Sequence, residues 1–228
     1  MKKGLLHGVK VIEIAGLAPV PHCGMLLADA GAHVTLIQKS KEENETVEQR
    51  LNRGKDSIRV DLRTKEGVEI VRNLAKSSDV LLDPYRPGIL EKMGLDPVQL
   101  LEENPKLVVC RLTGYGQTGE LSQEAGHDIN YVALSGLLPI LSGDDRNPPW
   151  PPANLLADFA GGGLTAAFGI VSALLGRQNN GGQGCIVDCS MVEGLAYLGS
   201  FVSQYQDMEH LWKMPFAAFQ GKCPIYSE

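Results

Sequence analysis

No Gly-x-Gly-x-x-Gly follows the first strand-like run of this chain, no Cys-x-x-Cys pair occurs in it, and no internal repeat is evident. Pro19 and Pro21 fill the first turn, where glycines would let a backbone close on a pyrophosphate, so a dinucleotide held in the usual way is disfavoured. The five cysteines, Cys23, Cys110, Cys185, Cys189 and Cys223, are odd in number and mostly set in apolar surroundings, which argues for reduced structural thiols in an intracellular compartment. Cys185 and Cys189 have a spacing that could hold a metal, but no histidine or second pair follows within reach, and no metal centre is expected. Basic excess is also missing. Lys and Arg number 21 against 27 Asp and Glu, the net charge is −6, and the basic residues are scattered, so nucleic acid is excluded as a partner. Met1-Lys2-Lys3-Gly4 runs straight into a strand, with no cleaved leader expected. Nor is any apolar stretch long enough to cross a bilayer without a polar interruption, and no membrane span is expected.

What is present is enough for a full core: 228 residues, 43% hydrophobic and 21% charged, fitting one domain or one domain with an appendage. Val9 to Ile14 reads as a strand, Cys23 to Ala30 as a helix stopped by Gly31, and His33 to Ile37 as the next strand, a unit of the right length for a parallel crossover. Lys39 ends that strand. A polar, acidic stretch follows, and then Arg53-Gly54-Lys55 before the short strand Ile58 to Asp61. These cations read either as a solvated loop or as a phosphate contact at a strand edge. Thr64 caps a helix over Lys65 to Lys76, and Asp79 to Leu82 is a buried strand that ends in the rigid turn Asp83-Pro84-Tyr85-Arg86-Pro87-Gly88. Arg86 is there a structural turn residue or a phosphate ligand. Short helices at Leu90 to Met93 and Pro97 to Glu103 precede the strand Leu107 to Leu112 and the glycine-rich loop Thr113 to Gly119. Ser142 to Ala153 is a proline-rich connector, Ile186 to Asp188 a further strand, and Met191 to Tyr205 one long amphipathic helix.

Gly126-His127-Asp128 sets an imidazole beside a carboxylate at a helix start, after a glycine that permits close approach of a ligand. The first amides of a helix lack partners and can receive developing negative charge, so the stretch offers a base and an anion hole together. Taken alone, Asp128 could equally be an N-cap and His127 a surface residue. A second acid, Asp158, heads another apolar helix running to about Leu175, ahead of Gly161-Gly162-Gly163, and the repetition suggests a cleft.

The chain resembles the family III CoA-transferase superfamily, and within it the α-methylacyl-CoA racemases. The resemblance rests on Ala15 to Pro19, Leu27 to Ala32, Arg53 to Lys55, Asp79 to Leu82, Leu112 to Gln117, Gly126 to Tyr131, Asn154 to Gly163 and Met191 to Gly194, and covers residues 5 to 212. It implies an α/β fold, an open and mainly parallel, Rossmann-like sheet with flanking helices, over residues 1 to 195. Residues 196 to 228 are then a linker helix and the truncated start of a small domain, most of which is missing. Gly221 to Tyr226 resembles the Gly-Gly-Ala-Pro-Phe-Tyr that opens that domain. The activity implied is racemisation at carbon 2 of 2-methyl-branched acyl-CoA thioesters through an enolate, in branched fatty acid and bile acid metabolism. His127 and Asp158 match the two acid/base groups. CoA, part of the substrate rather than a separate cofactor, would be held at Lys39, Arg59, Val60, Asp61, Leu62, Arg86, Gly126, His127, Asp128, Ile129, Asn130 and Tyr131. Many relatives carry arginine where Lys39 stands. The alternative within the superfamily is a CoA-transferase with Asp158 as nucleophile, distinguished by lacking the His-Asp pair; a third reading is a short form that binds CoA with little activity. The family's glutamate that assists the histidine lies past residue 228. Members form interlocked homodimers and work in mitochondria and peroxisomes, although Ile225-Tyr226-Ser227-Glu228 is no peroxisomal address.

Overall fold

The computed structural model describes residues 4–39, 50–138 and 153–206. All of the connector expected from Ser142 except Ala153 lies outside them, as does the tail from Asp207, with Cys223. Six strands form the sheet: β1 (Lys10–Ile14), β2 (His33–Gln38), β3 (Lys55–Arg59), β4 (Val80–Asp83), β5 (Val108–Thr113) and β6 (Cys185–Ser190). Their order is β3-β2-β1-β4-β5-β6, and every neighbouring pair is parallel. The open, parallel α/β sheet expected from the sequence is therefore the observed one.

Burial explains the composition of the strands. β4 and β5 are buried at every position, as parallel strands covered on both faces must be, and both read as nearly continuous apolar runs. Alternate residues feed two cores. Val11, Val34, Val80, Leu82, Val108 and Cys110 face α1 (Pro19–Asp29) and the later helices, whereas Ile12, Ile14, Ile37, Leu81 and Val109 face α2 (Lys65–Ala75), α3 (Ile89–Lys92) and α4 (Pro97–Glu103). α2 begins where Thr64 predicts, its hydroxyl accepting from the Gly67 amide at 3.0 Å. The edge strand β3 is half-buried only at Lys55 and otherwise exposed, and its charged side chains suit an unpaired edge.

α5 (Asp128–Leu134) is followed by α6 (Leu155–Leu164), α7 (Thr165–Gly176), α8 (Met191–Leu198) and α9 (Ser200–Gln206). The ordinary helix expected from Asp158 onward starts earlier, and α6 is π-wound. The Phe159 amide bonds the Asn154 carbonyl at 3.3 Å, and the Thr165 amide bonds the Ala160 carbonyl, each five residues back. Glycines allow the packing that goes with this winding: a β-carbon on Gly194 of α8 would lie 2.1 Å from the Gly161 carbonyl oxygen. The long helix expected over Met191 to Tyr205 is broken at Gly199 into α8 and α9, so that reading is corrected. A β-carbon there would meet Leu137 at 2.5 Å.

α6 and α7 together, Leu155–Gly176, make a 22-residue run with the length and composition of a membrane span, which the sequence reading did not anticipate. Asp158 interrupts it; Ala157, Ala166 and Ile170 are buried in the core shared with α1 and α8, while Leu155, Leu164, Phe168 and Leu175 are exposed.

Candidate active site

The strand order turns back between β1 and β4, and the crevice beyond their carboxyl ends is where ligands of open α/β sheets bind. Two adjoining cavities occupy that end of the sheet. The larger, about 640 Å³, is lined by Gly16, Leu17, Gln38, Lys39, Pro84 and Arg86 among others. The smaller, about 340 Å³, is lined by Gly126, His127, Tyr131, Asn154, Asp158 and Met191 among others. Leu17, Pro84 and Arg86 belong to both, so the site is one bipartite cleft with an arginine at its junction. The Arg86 guanidinium donates to the Gln123 carbonyl at 2.7 Å, latching the segment after the glycine-rich loop to the turn after β4.

His127 is the exposed N-cap of α5. Its amide donates to the Asn130 side chain at 2.9 Å, which fixes the chain direction at the helix start. Asp158 enters from α6 and is 8% exposed. Ala153 and Asn154, just before that helix, both have left-handed backbones, with φ of 49° and 63°. Such conformations cost non-glycine residues energy, and they concentrate at functional sites. Here the turn brings the Asn154 amide to 2.9 Å from the Asp158 carboxylate, to which it donates. Burial pushes the Asp158 carboxyl up to about 6; the nearby Asp128 charge raises it further, while the Asn154 hydrogen bond and His127 oppose the rise. An acid so tuned stands close to the ordinary imidazole range.

Tyr131 walls the cavity, edge-on to Tyr115 with ring centroids 5.0 Å apart. Its phenol is raised to about 12 by burial, with Tyr115 and Asp158 adding to the effect and Arg86 opposing it. Gly114 is needed beneath that ring, because a β-carbon there would lie 2.2 Å from its carbons.

Other expected ligands stand elsewhere. Arg59, Val60, Asp61 and Leu62 line neither cavity; they adjoin it through the Val60 amide, which bonds the Gln38 carbonyl at 2.9 Å. Asp61 is paired with Arg63 at 2.9 Å, which pulls its carboxyl down to about 2. Asp128, Ile129 and Asn130 also lie outside both linings, although Gly126, His127 and Tyr131 lie within. The Arg53-Gly54-Lys55 cations are committed to the protein itself. Arg53 holds Asp29 through its Nε at 3.0 Å, and Lys55 is buried against Glu13 at 2.7 Å and the Pro21 carbonyl at 2.8 Å. Both cations thus have partners within the chain, Lys55 buried and Arg53 at the surface. Cys185 is exposed and Cys189 buried, roughly 13 Å apart along a strand at its usual rise.

The sequence reading did not assign Asn154 a role, nor the Glu13–Lys55 pair beneath the larger cavity. The Asn-x-x-x-Asp spacing was the available signal for the first; for the second there was none, since 42 residues separate the partners.

The family model for CoA-transferase family III matches residues 6–222. This chain belongs to CoA-transferase family III. It is 62% identical over 221 residues to a CaiB/baiF CoA-transferase family protein of Caenorhabditis elegans, covering 97% of this chain and 64% of that protein. It is 49% identical over 225 residues to an alpha-methylacyl-CoA racemase of Mus musculus, covering 98% of this chain and 58% of that protein. The crystal structure of a CAIB/BAIF family protein from Brucella suis superposes with a TM-score of 0.80 at 30% identity, covering 90% of this chain and 58% of that one. The chain thus spans about three fifths of the length of these family III proteins.

Proposed function

We propose that this family III protein racemises 2-methyl-branched acyl-CoA thioesters by moving the proton on carbon 2 from one face to the other. The observation that carries the reading is that an imidazole, His127, and a buried carboxylate tuned to about 6, Asp158, line one cavity. The similarity to the racemase of Mus musculus supports it. In one direction ionised Asp158 takes the proton from carbon 2, and the C–H electron pair passes through the thioester to its oxygen. Protonated His127 then returns a proton to the opposite face. In the other direction the roles exchange. A buried carboxylate raised to about 6 can serve as base in one direction and as acid in the other near neutral pH. The enolate oxygen would lie among the backbone amides at the head of α5, of which that of His127 already donates to the Asn130 side chain.

In this reading the CoA moiety lies in the larger cavity against Lys39 and Arg86, and the acyl end reaches the smaller one past Leu17 and Pro84. No cofactor beyond the CoA of the substrate takes part. A homodimer belongs to the same proposal, supported by the exposure of Phe168 (74%) and Tyr197 (80%). Location in mitochondria or peroxisomes is supported by the resemblance alone.

A CoA-transferase with Asp158 as nucleophile is the second reading, favoured by the name of the family and by the burial of that carboxylate. Mutation separates them. His127→Ala should suppress α-proton exchange most from one enantiomer and Asp158→Ala most from the other. Loss of all activity with Asp158 alone, with an acyl adduct on Asp158 trapped by hydroxylamine, overturns the racemase reading.

A further inference from the structure

Asp128 follows His127 directly, yet its side chain lines neither cavity. It is 3% exposed, and its Oδ2 accepts from two amides at the start of α6, Ala157 at 2.7 Å and Asp158 at 2.9 Å. One buried carboxylate thereby fastens the helix that carries His127 to the turn that carries Asp158. The start of α6 has the features that need such an anchor: left-handed Ala153 and Asn154, and the π winding that begins there. Its own first amides would otherwise lack partners.

Several other groups face this region. His127 and Tyr131 come from α5, and Asn154 precedes α6. His22 of α1 lies edge-on to Phe159 with ring centroids 4.8 Å apart, and the Cys189 thiol of β6 lies 3.8 Å from the Gly162 carbonyl. Glu193 of α8 is exposed, and Arg86 stands at the rim. Among these groups Asp128 is the buried carboxylate other than Asp158 itself.

We infer that Asp128 is a positioning residue: its carboxylate pins the backbone of Asp158 to the start of α5 and so holds the two acid/base groups in register across the smaller cavity. The inference rests on the two-base reading of the site. The charge of Asp128 adds a second consequence, for it opposes ionisation of Asp158 and helps keep that group near the imidazole range.

Two substitutions separate anchor from charge. In Asp128→Asn the amide oxygen still accepts both backbone bonds while the charge is gone; in Asp128→Ala both are lost. The ionisation of Asp158 is followed by carbon-13 NMR of labelled aspartate, and α-proton exchange of each 2-methylacyl-CoA enantiomer is followed in deuterated water across pH. Asp128→Asn should keep the fold, and both the Asp158 titration and the acid limb of the exchange profile should move to lower pH. Asp128→Ala should lower exchange from both enantiomers roughly 100-fold, the loss expected for a misplaced catalytic group. Wild-type exchange in Asp128→Ala overturns the inference, and an unmoved Asp158 titration in Asp128→Asn overturns its second consequence, the charge coupling. Should Asp128→Ala fail to fold, exchange by Asp128→Asn decides: a rate at its optimum pH close to wild type from both enantiomers supports the anchor, which that variant keeps, and a roughly 100-fold loss from both overturns it. Absence of exchange in the wild-type protein would defeat the two-base reading separately, leaving the titration to judge the coupling.

Discussion

Asp158 acquires its chemistry from its neighbours more than from its own side chain. Burial and Asp128 raise its proton affinity, and Asn154 is the group that restrains the rise. Removing Asn154 should therefore move the carboxyl above about 6. Asn154→Gly makes the cleanest variant, because glycine accepts the left-handed φ of 63° that alanine would resist. Its acid limb for exchange from the Asp158-dependent enantiomer should shift to higher pH; a shift to lower pH, or none, would show that the hydrogen bond does not act on the ionised form. If CoA lies as proposed, Arg86→Ala at the junction of the cavities and Lys39→Ala in the larger one should each weaken its binding by about tenfold at low salt, since each removes a cation facing its phosphates. Calorimetry at low and high salt checks this. Unchanged binding would remove both residues from the site.

At the scale of elements, the buried strands were legible because a parallel strand covered on both faces must be apolar throughout, as Val80–Asp83 and Val108–Thr113 largely are. Strand ends were less so: β3 was expected at Ile58 to Asp61 and runs over Lys55–Arg59, where Lys55 is drawn inward by Glu13. The candidate pair His127 and Asp158 was visible as two acid-bearing helix starts. What was hidden was how they are joined, because the Asp128 carboxylate reaches amides 29 and 30 residues away and no local pattern records that. The π winding of α6 was likewise hidden, since it depends on close contact between Gly161 and Gly194 of separate helices. This contact makes a prediction: Gly194→Ala should destabilise the protein by about 1–3 kcal/mol, the range for overpacking a tight interface. It should also depress exchange by displacing α6. Thermal unfolding and activity together test it, and wild-type stability would show that the helices separate without cost.

At the scale of the whole molecule, a buried ion pair ties β1 to β3 beneath the larger cavity. Glu13 of β1 and Lys55 of β3 are both inaccessible at the side chain and 2.7 Å apart. At pH 8, where Glu13 is ionised, Glu13→Gln would leave the buried ammonium uncompensated and should cost about 3–5 kcal/mol, whereas Glu13→Leu with Lys55→Met removes both charges and should recover much of the loss. Burial outweighs Lys55 and raises the Glu13 carboxyl to about 7, and burial likewise raises Asp83 to about 6. The folded chain therefore binds more protons than the unfolded one between about pH 4 and 7 at these groups. Their contribution to stability is complete below the ordinary carboxylate range and is lost as pH rises through 6 to 7. Urea unfolding at pH 5 and pH 8 should show a smaller difference in the double variant than in the wild type; an equal difference would contradict the assignment of Glu13.

The central claim is that His127 and Asp158 act as paired bases on one carbon, and isotope exchange reads this directly. Each enantiomer of a 2-methylacyl-CoA is incubated with the purified protein in deuterated water, and deuterium at carbon 2 is followed by mass spectrometry alongside the loss of enantiomeric excess. Two-base racemisation predicts incorporation from both enantiomers and convergence to the racemate. Transfer of the acyl-CoA's CoA to a carboxylic acid acceptor, with carbon 2 unlabelled and an acyl group trapped on Asp158, would contradict it.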